Sequence, residues 1–439
     1  MVTARGSERA DILVDGERIV RVGRVPTQEQ EIDATGLLVL PGCVDLHTHL
    51  APTATWTPID DWEHGTAAAL AGGVTTVLSM AHVPEGTSPL AATEQWRRDA
   101  GRSRADFAFH VVVSDPARAI VELSDLVREG YAGLKVFMVA PAFVENTERY
   151  LELYRTAAAH DVVVAVHAED RMLIERATAA LHLAGRTSVR YFPASRPVEA
   201  EVTAVRAALG HAAVTRVPMY LVHLSSAAAL DELRRAKGSG SSRVVGEIRP
   251  LYLYLTRERF DRDDGALWVG QPPLREQADV LAAWRALADG TIDTVGTDHV
   301  PYTRARKLAP DLPFDKIPPG VSNLETMLPM LYSEGVRKER LSIERLVDLL
   351  ATTPARIAGL ASKGEIAVGK DADLVLFDPL KTRTIRASEM HSAADYDPYE
   401  GWEVSGWPRV VLLRGQVAWD GKRLAAPGTG RFVPRSPLA

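Results

Sequence analysis

Two histidines one residue apart, His47 and His49, end the apolar stretch Val44-Asp-Leu-His-Thr-His. On an extended strand, alternation turns both imidazoles to one face, where two nitrogens can grip one divalent ion. Such a pair is common by chance, so its meaning rests on its company. His167 ends the run Val162-Val-Val-Ala-Val-His, and His223 ends Tyr220-Leu-Val-His. Asp298, in Val295-Gly-Thr-Asp-His-Val-Pro, occupies the same kind of place on a later run. Each of these residues marks a point where a strand gives way to a helix or loop. Taken singly, a histidine there is more often a satisfied core or capping residue. Together they make a nitrogen and oxygen donor set suited to zinc, with manganese or cobalt as substitutes.

Lys135 lies inside Gly133-Leu-Lys-Val-Phe-Met. Leu134, Val136 and Met138 share one face of that strand, and Lys135 and Phe137 share the other. If the first face packs on outer helices, Lys135 points inward, where a bare ammonium is costly. The plainer alternative is a strand-edge lysine whose stem lies on apolar surface while its head reaches water. His299 faces away from Asp298 on an extended strand and reads as a support. His64, His82, His110, His160, His182, His211 and His391 read as structural or solvated.

These residues need a scaffold that brings strand ends together. From about Leu46 to Leu360, β-branched apolar runs alternate with amphipathic, alanine-rich stretches. Gly73–Leu78 precedes a helical Ala91–Ala100, Phe107–Val113 precedes Pro116–Gly130, and Gly133–Met138 precedes Thr147–His160. Val162–His167 precedes Arg171–Leu183, and Pro218–His223 precedes Ser226–Ala236. Runs that continuous are buried on both faces, as parallel strands under helices are. A doubly wound open sheet shares this rhythm. A (β/α)8 TIM barrel fits better, because it gathers the C-terminal ends of its strands at one mouth.

Both ends of the chain read differently. Ile12–Val14 and Arg18–Val22 flank an Asp15-Gly16 turn, and Asp373–Phe377, Val410–Leu413 and Gln416–Trp419 repeat that all-β character. The expected organisation is a small β-sandwich built from residues 1–43 and 363–439 around a barrel at 44–362. Gly238–Ser242 reads as a flexible surface turn, and Ala51–Ile59, which holds Trp56, as a wall or lid at the mouth.

Composition narrows the class. The chain has 439 residues, of which 46% are hydrophobic and 25% charged, the balance of a soluble globular protein. A net charge of -6 argues against a nucleic-acid partner held by counterion release. Cys43 is the one cysteine, which excludes a disulfide framework and thiolate zinc clusters; it reads as a buried structural thiol. With no apolar run near the ~20 residues of a membrane span and no signal-like start, a cytoplasmic enzyme is expected.

At this point the chain resembles a known family. Pro41-Gly-Cys-Val-Asp-Leu-His-Thr-His-Leu, Leu134-Lys-Val-Phe-Met, Val166-His-Ala-Glu-Asp, Val222-His-Leu-Ser-Ser and Gly296-Thr-Asp-His-Val-Pro look like the successive metal motifs of the amidohydrolase superfamily. Asp60-Asp-Trp-Glu-His-Gly-Thr, Glu94-Gln-Trp-Arg, Ser195-Arg-Pro-Val-Glu-Ala-Glu, Pro272-Pro-Leu-Arg and Asp395-Tyr-Asp-Pro-Tyr-Glu-Gly are similar to hydantoinases and dihydropyrimidinases. The likeness spans essentially the whole chain. It implies one divalent ion on His47, His49 and Asp298 and a second on His167 and His223. It further implies a Lys135 carbamylated by carbon dioxide and bridging the two. The activity implied is hydrolysis of a cyclic amide by a metal-bridging hydroxide, with Asp298 as base and then acid. Similar enzymes are commonly homodimers or homotetramers.

The usual substrate contacts depart from the family's pattern. Ala140 stands where a tyrosine is typical, Gln271 where a serine precedes Pro-Pro-Leu-Arg, and Pro319 where an asparagine follows Ile-Pro, although Asn323 is close by. Arg249, in Gly246-Glu-Ile-Arg-Pro-Leu-Tyr-Leu, reads either as a contact for an anionic substituent or as a surface or structural residue. Dihydroorotase and allantoinase are rival enzyme readings; the former usually carries an arginine where Ala51 and Pro52 stand. A non-catalytic scaffold of the same family is a third, but such proteins have generally lost ligands that persist here.

Overall fold

The computed structural model describes all residues except 27, 29, 54, 55, 241, 242 and 439. Eight parallel strands follow one another in chain order around a barrel. They are β1 (Cys43–Thr48), β2 (Val74–Ala81), β3 (Asp106–Val112), β4 (Gly133–Phe137), β5 (Val163–His167), β6 (Met219–Leu221), β7 (Val244–Ile248) and β8 (Thr294–Val295). The ring closes just beyond β8, where His299 bridges Thr48 in parallel and the His49 N–H donates to the His299 carbonyl at 3.0 Å. That closure sets His47 and His49 beside Asp298.

The strands form because their β-branched and aromatic residues are covered on both sides. Leu134, Val136, Val164 and Val166 pack outward with Leu123, Tyr150, Leu153 and Val205 of the surrounding helices. Val44, Leu46, Leu78, Ala108, Val163, Ala165 and Tyr220 fill the interior with Ala355, Ile357 and Leu360. Lys135 lies opposite Ala165 in the ladder, so its side chain points inward. Helices start where the sequence offers caps. Asp115, Asp170 and Ser226 accept from the N–H of Arg118, Leu173 and Ala229, satisfying first-turn donors that have no partner within the helix.

The two ends of the chain build one β region. Leu38–Pro41, Leu374–Thr384, Glu403–Leu413 and Gln416–Trp419 form a four-stranded antiparallel sheet. The hairpin Asp11–Asp15/Arg18–Gly23 packs on it through Ile12, Val14, Ile19, Val22, Leu374, Leu376 and Leu412. The two long strands run further than their local patterns suggest. Gly406 and Pro408 read as strand breakers, yet pairing to Leu374–Thr384 carries across them through shifts in register.

A buried ionic cluster ties this region to the barrel. Lys363 Nζ lies 2.6 Å from Asp106, 3.0 Å from Asp371 and 2.7 Å from Asp373. The C-terminal segment then crosses the lower end of the barrel, where Arg435 donates to the carbonyls of Ala358 and Phe109. Among the described residues, no helix is long and apolar enough to cross a membrane.

Candidate active site

The barrel mouth holds a cleft of about 320 Å³, the size for one small molecule. His47, His49, His82, His167, His223, Asp298 and Gln271 line it, with Trp56, Phe137, Val139, Val300 and Pro319 as apolar walls. Four of these histidines and the aspartate are the strand-end residues singled out from sequence.

Asp298 Oδ1 lies 3.3 Å from His47 Nε2 and 3.2 Å from His49 Nε2. Donors bound to one tetrahedral zinc at ~2.0–2.1 Å stand roughly 3.3–3.5 Å apart, so these three atoms have the spacing of one ion's ligands. The rings of His167 and His223 are 4.6 Å apart, and His223 is 5.4 Å from His47. Lys135 is fully buried among them, and its Nζ has no hydrogen-bond partner among the described residues. Burial pushes its ammonium down to about 8. An orphaned buried amine amid imidazoles is poor design for apolar packing, and it fits conversion to an anion facing cations.

The surrounding residues orient the imidazoles. Glu247 Oε1 lies 2.9 Å from His47 Nδ1 and accepts from the His223 N–H at 2.9 Å, while Tyr220 donates to Oε2. Since a carboxylate only accepts, Nδ1 of His47 carries the hydrogen and Nε2 keeps its lone pair for the site. Gly296 makes this possible: a Cβ there would sit 2.0 Å from Glu247 Oε2. Glu169 Oε2 holds His167 Nε2 at 2.8 Å and is itself paired to Arg196. His299 turns away from the cleft, its Nε2 2.8 Å from Asp60, as its strand position predicts.

Burial holds His49 down near 3 and His82 near 4, and the charge of Lys135 adds to the latter, so both rings are neutral at pH 7. Burial likewise drives His223 well below the usual range, with His167 and Lys135 adding to it. For Asp298, burial opposes ionisation, but Arg249, His47 and His49 together hold the carboxyl well below its ordinary value. Asp298 and His223 also adopt left-handed backbone angles, φ 47 and 42. For residues other than glycine this costs about 1–3 kcal/mol each, and such strain concentrates at functional sites.

The substrate candidates divide. Gln271 and Pro319 line the cleft. Ala140 does not; it starts the short helix Pro141–Glu145, and Val139 forms the wall instead. Asn323 is also outside the lining: its Nδ2 donates to the Thr297 carbonyl and its N–H to His299 Nδ1. Arg249 is not on the surface. It is 1% exposed, and its Nη1 stands 3.2 Å from Asp298 Oδ2.

His82, read from sequence as structural or solvated, lies in the cleft wall. Its signal was available, because it directly follows β2 as the other strand-end residues follow theirs. Glu247 was equally legible as the carboxylate at the end of β7, two residues before Arg249. Trp56 of the Ala51–Ile59 loop forms a wall edge-on to His49 at 4.3 Å; residues 54 and 55 of that loop, like 241 and 242 of the glycine-serine turn, lie outside the described residues.

Imidazoles, a carboxylate and a buried amine at the C-terminal mouth of a (β/α)8 barrel define a metal-dependent barrel enzyme. Comparison with known proteins narrows that class. Residues 38–418 match the amidohydrolase family model. A D-hydantoinase of Ralstonia pickettii is 36% identical over 99% of this chain and 97% of its own length. The crystal structure of a dihydropyrimidinase from Brevibacillus agri superposes with a TM-score of 0.95 at 37% identity, covering 100% of this chain and 97% of that one. A D-hydantoinase structure from Bacillus sp. AR9 gives a TM-score of 0.96 at 36% identity, covering 100% and 98%. The chain belongs to the amidohydrolase superfamily, in its hydantoinase and dihydropyrimidinase family.

Proposed function

We propose that this chain opens a cyclic amide of the hydantoin or dihydropyrimidine kind by hydrolysing a ring C–N bond. The observation that carries the reading is Asp298 Oδ1 standing within 3.3 Å of two imidazole nitrogens beside the unpartnered amine of Lys135. On this reading His47, His49 and Asp298 would hold one zinc ion, His167 and His223 would hold a second, and a carbamylated Lys135 would supply anionic oxygens to both. Bound there, such ions lower the pKa of coordinated water to about 7 and polarise a carbonyl.

The protein's own groups perform the rest. Asp298, kept ionised at the cleft, accepts the proton of the attacking water and returns it to the departing ring nitrogen. Arg249 sits behind that carboxylate and fixes its orientation rather than meeting solvent. Glu247 and Glu169 keep the imidazole lone pairs aimed at the site. Trp56, Phe137, Val139, Val300 and Pro319 exclude water and shape the space beside the ring. Gln271 supplies a polar contact on the wall.

The same reading extends to a cytoplasmic location and to a homodimer or homotetramer, for which Met172 and Leu183, 62% and 92% exposed on the helix Arg171–Leu183, offer apolar surface to cover. The test is metal analysis of protein produced with zinc and bicarbonate, coupled to a panel of hydantoin, dihydrouracil, allantoin, dihydroorotate and succinimide. About two ions per chain with turnover of hydantoin or dihydrouracil is the expected result. Turnover of allantoin or dihydroorotate alone would replace the ring assignment. Absence of both metal and turnover would favour a scaffold.

A further inference from the structure

His82 joins the cleft from the end of β2, a strand that supplies no residue to the proposed metal set. Its carbonyl accepts from Trp96 Nε1 at 2.9 Å, which anchors the backbone. Its ring stands 5.3 Å from Trp56 at 79°, 6.3 Å from Trp96 and 6.1 Å from His49. Two indoles and an imidazole thus confine the ring, and its Nε2 is buried with no hydrogen-bond partner among the described residues. A buried polar nitrogen normally has a partner, and one left without it at a cleft wall is poised for a ligand.

The rest of the lining sharpens this. Apart from the residues assigned to metal, the hydrogen-bonding side chains among the described lining residues are His82, Gln271 and the indole N–H of Trp56, and of these His82 and Gln271 can accept as well as donate. The positions where hydrogen-bonding side chains are expected hold Ala140 and Pro319, which offer none. A cyclic ureide or imide presents alternating carbonyl and N–H groups along its edge. A neutral imidazole offers one acceptor and one donor, and can meet either kind of group.

We propose that His82 is a specificity-determining residue that hydrogen-bonds the polar edge of the ring, replacing contacts this chain lacks. The inference rests on the cyclic-amide reading above. His82 takes no part in proton transfer to the leaving nitrogen, so its loss weakens substrate binding more than turnover.

The test compares zinc-loaded wild type, His82→Phe and His82→Asn on whichever of hydantoin or dihydrouracil the wild type opens. Metal content is measured on each preparation. His82→Phe should raise KM about tenfold, lower kcat less than about threefold, and leave metal content unchanged. His82→Asn, which restores a donor and an acceptor, should recover a substantial part of the loss; it also serves if the phenylalanine variant does not fold. An unchanged KM in both variants would overturn the assignment, as would a loss of activity that tracks a loss of metal. A wild type that opens no ring overturns the cyclic-amide reading itself, and this assignment with it.

Discussion

Arg249 Nη1 lies 3.2 Å from Asp298 Oδ2, while His47 and His49 approach the other oxygen of the same carboxylate at 3.3 and 3.2 Å. One oxygen therefore faces the cleft and the other faces a buried guanidinium. Gly270 makes room for it, since a Cβ there would lie 2.7 Å from Arg249 Nη1. Replacing Arg249 by methionine removes the hold on Oδ2 but none of the residues assigned to metal. Activity is expected to fall about 10–100-fold with zinc content retained, the range for a group that orients a ligand. Steady-state kinetics with metal analysis checks this, and unchanged kcat would remove the positioning role.

Asp298→Asn tests the proton-transfer role directly. The amide keeps an oxygen that could hold the ion shared with His47 and His49 but does not take up a proton. A loss of roughly 10²–10⁴ in kcat is expected, with zinc still bound. An active variant that retains metal would assign the proton transfer elsewhere.

Carbamylation of Lys135 should depend on pH in a defined direction. The neutral amine attacks carbon dioxide and loses a proton as the carbamate forms, and an ordinary lysine is almost wholly cationic near neutrality. Burial brings Lys135 down to about 8, so its neutral fraction grows steeply as pH rises through that value. Metal-free protein given zinc and labelled bicarbonate should therefore gain a carbamate carbon signal more completely at about pH 9 than at about pH 7. Lys135→Gln should show no such signal and should bind less zinc. Equal uptake at both values would contradict a burial-controlled amine.

Stability has its own test in Lys363, whose side chain is 1% exposed among Asp106, Asp371 and Asp373. Removing one partner of a buried ionic cluster leaves uncompensated charge, at a cost of about 3–5 kcal/mol. Lys363→Met should lower the unfolding midpoint in urea accordingly. If the loss stayed below about 1 kcal/mol, the cluster would not be what ties the terminal sheet to the barrel.

The strand-end residues were legible because barrel geometry converts a local rule into a global one. A residue at the C-terminal end of any barrel strand reaches the same mouth, however far apart in sequence those strands lie. His82 follows that rule as well as His167 does. Its reading as structural or solvated fails because it directly follows β2, as the other strand-end residues follow theirs. The long strands of the terminal sheet were less legible, since Gly406 and Pro408 oppose a strand locally and partner pairing overrides them.

By itself, the sequence determined the barrel, its β-rich ends and the convergence of His47, His49, His167, His223 and Asp298 through periodicity and position along the chain, while the inward place of Lys135 rested on the family resemblance. Only tertiary structure decided what each side chain meets. It turned Arg249 from a residue with two open readings into the partner of Asp298, and set Glu247 against His47 across 200 residues of chain. It also withdrew Asn323 and Ala140 from the cleft and placed His82 in its wall. Periodicity specifies which face of a strand a side chain occupies. Which neighbour completes its hydrogen bonds depends on curvature, ring closure and backbone angles such as φ 47 at Asp298, and these arise only when all eight strands are in place.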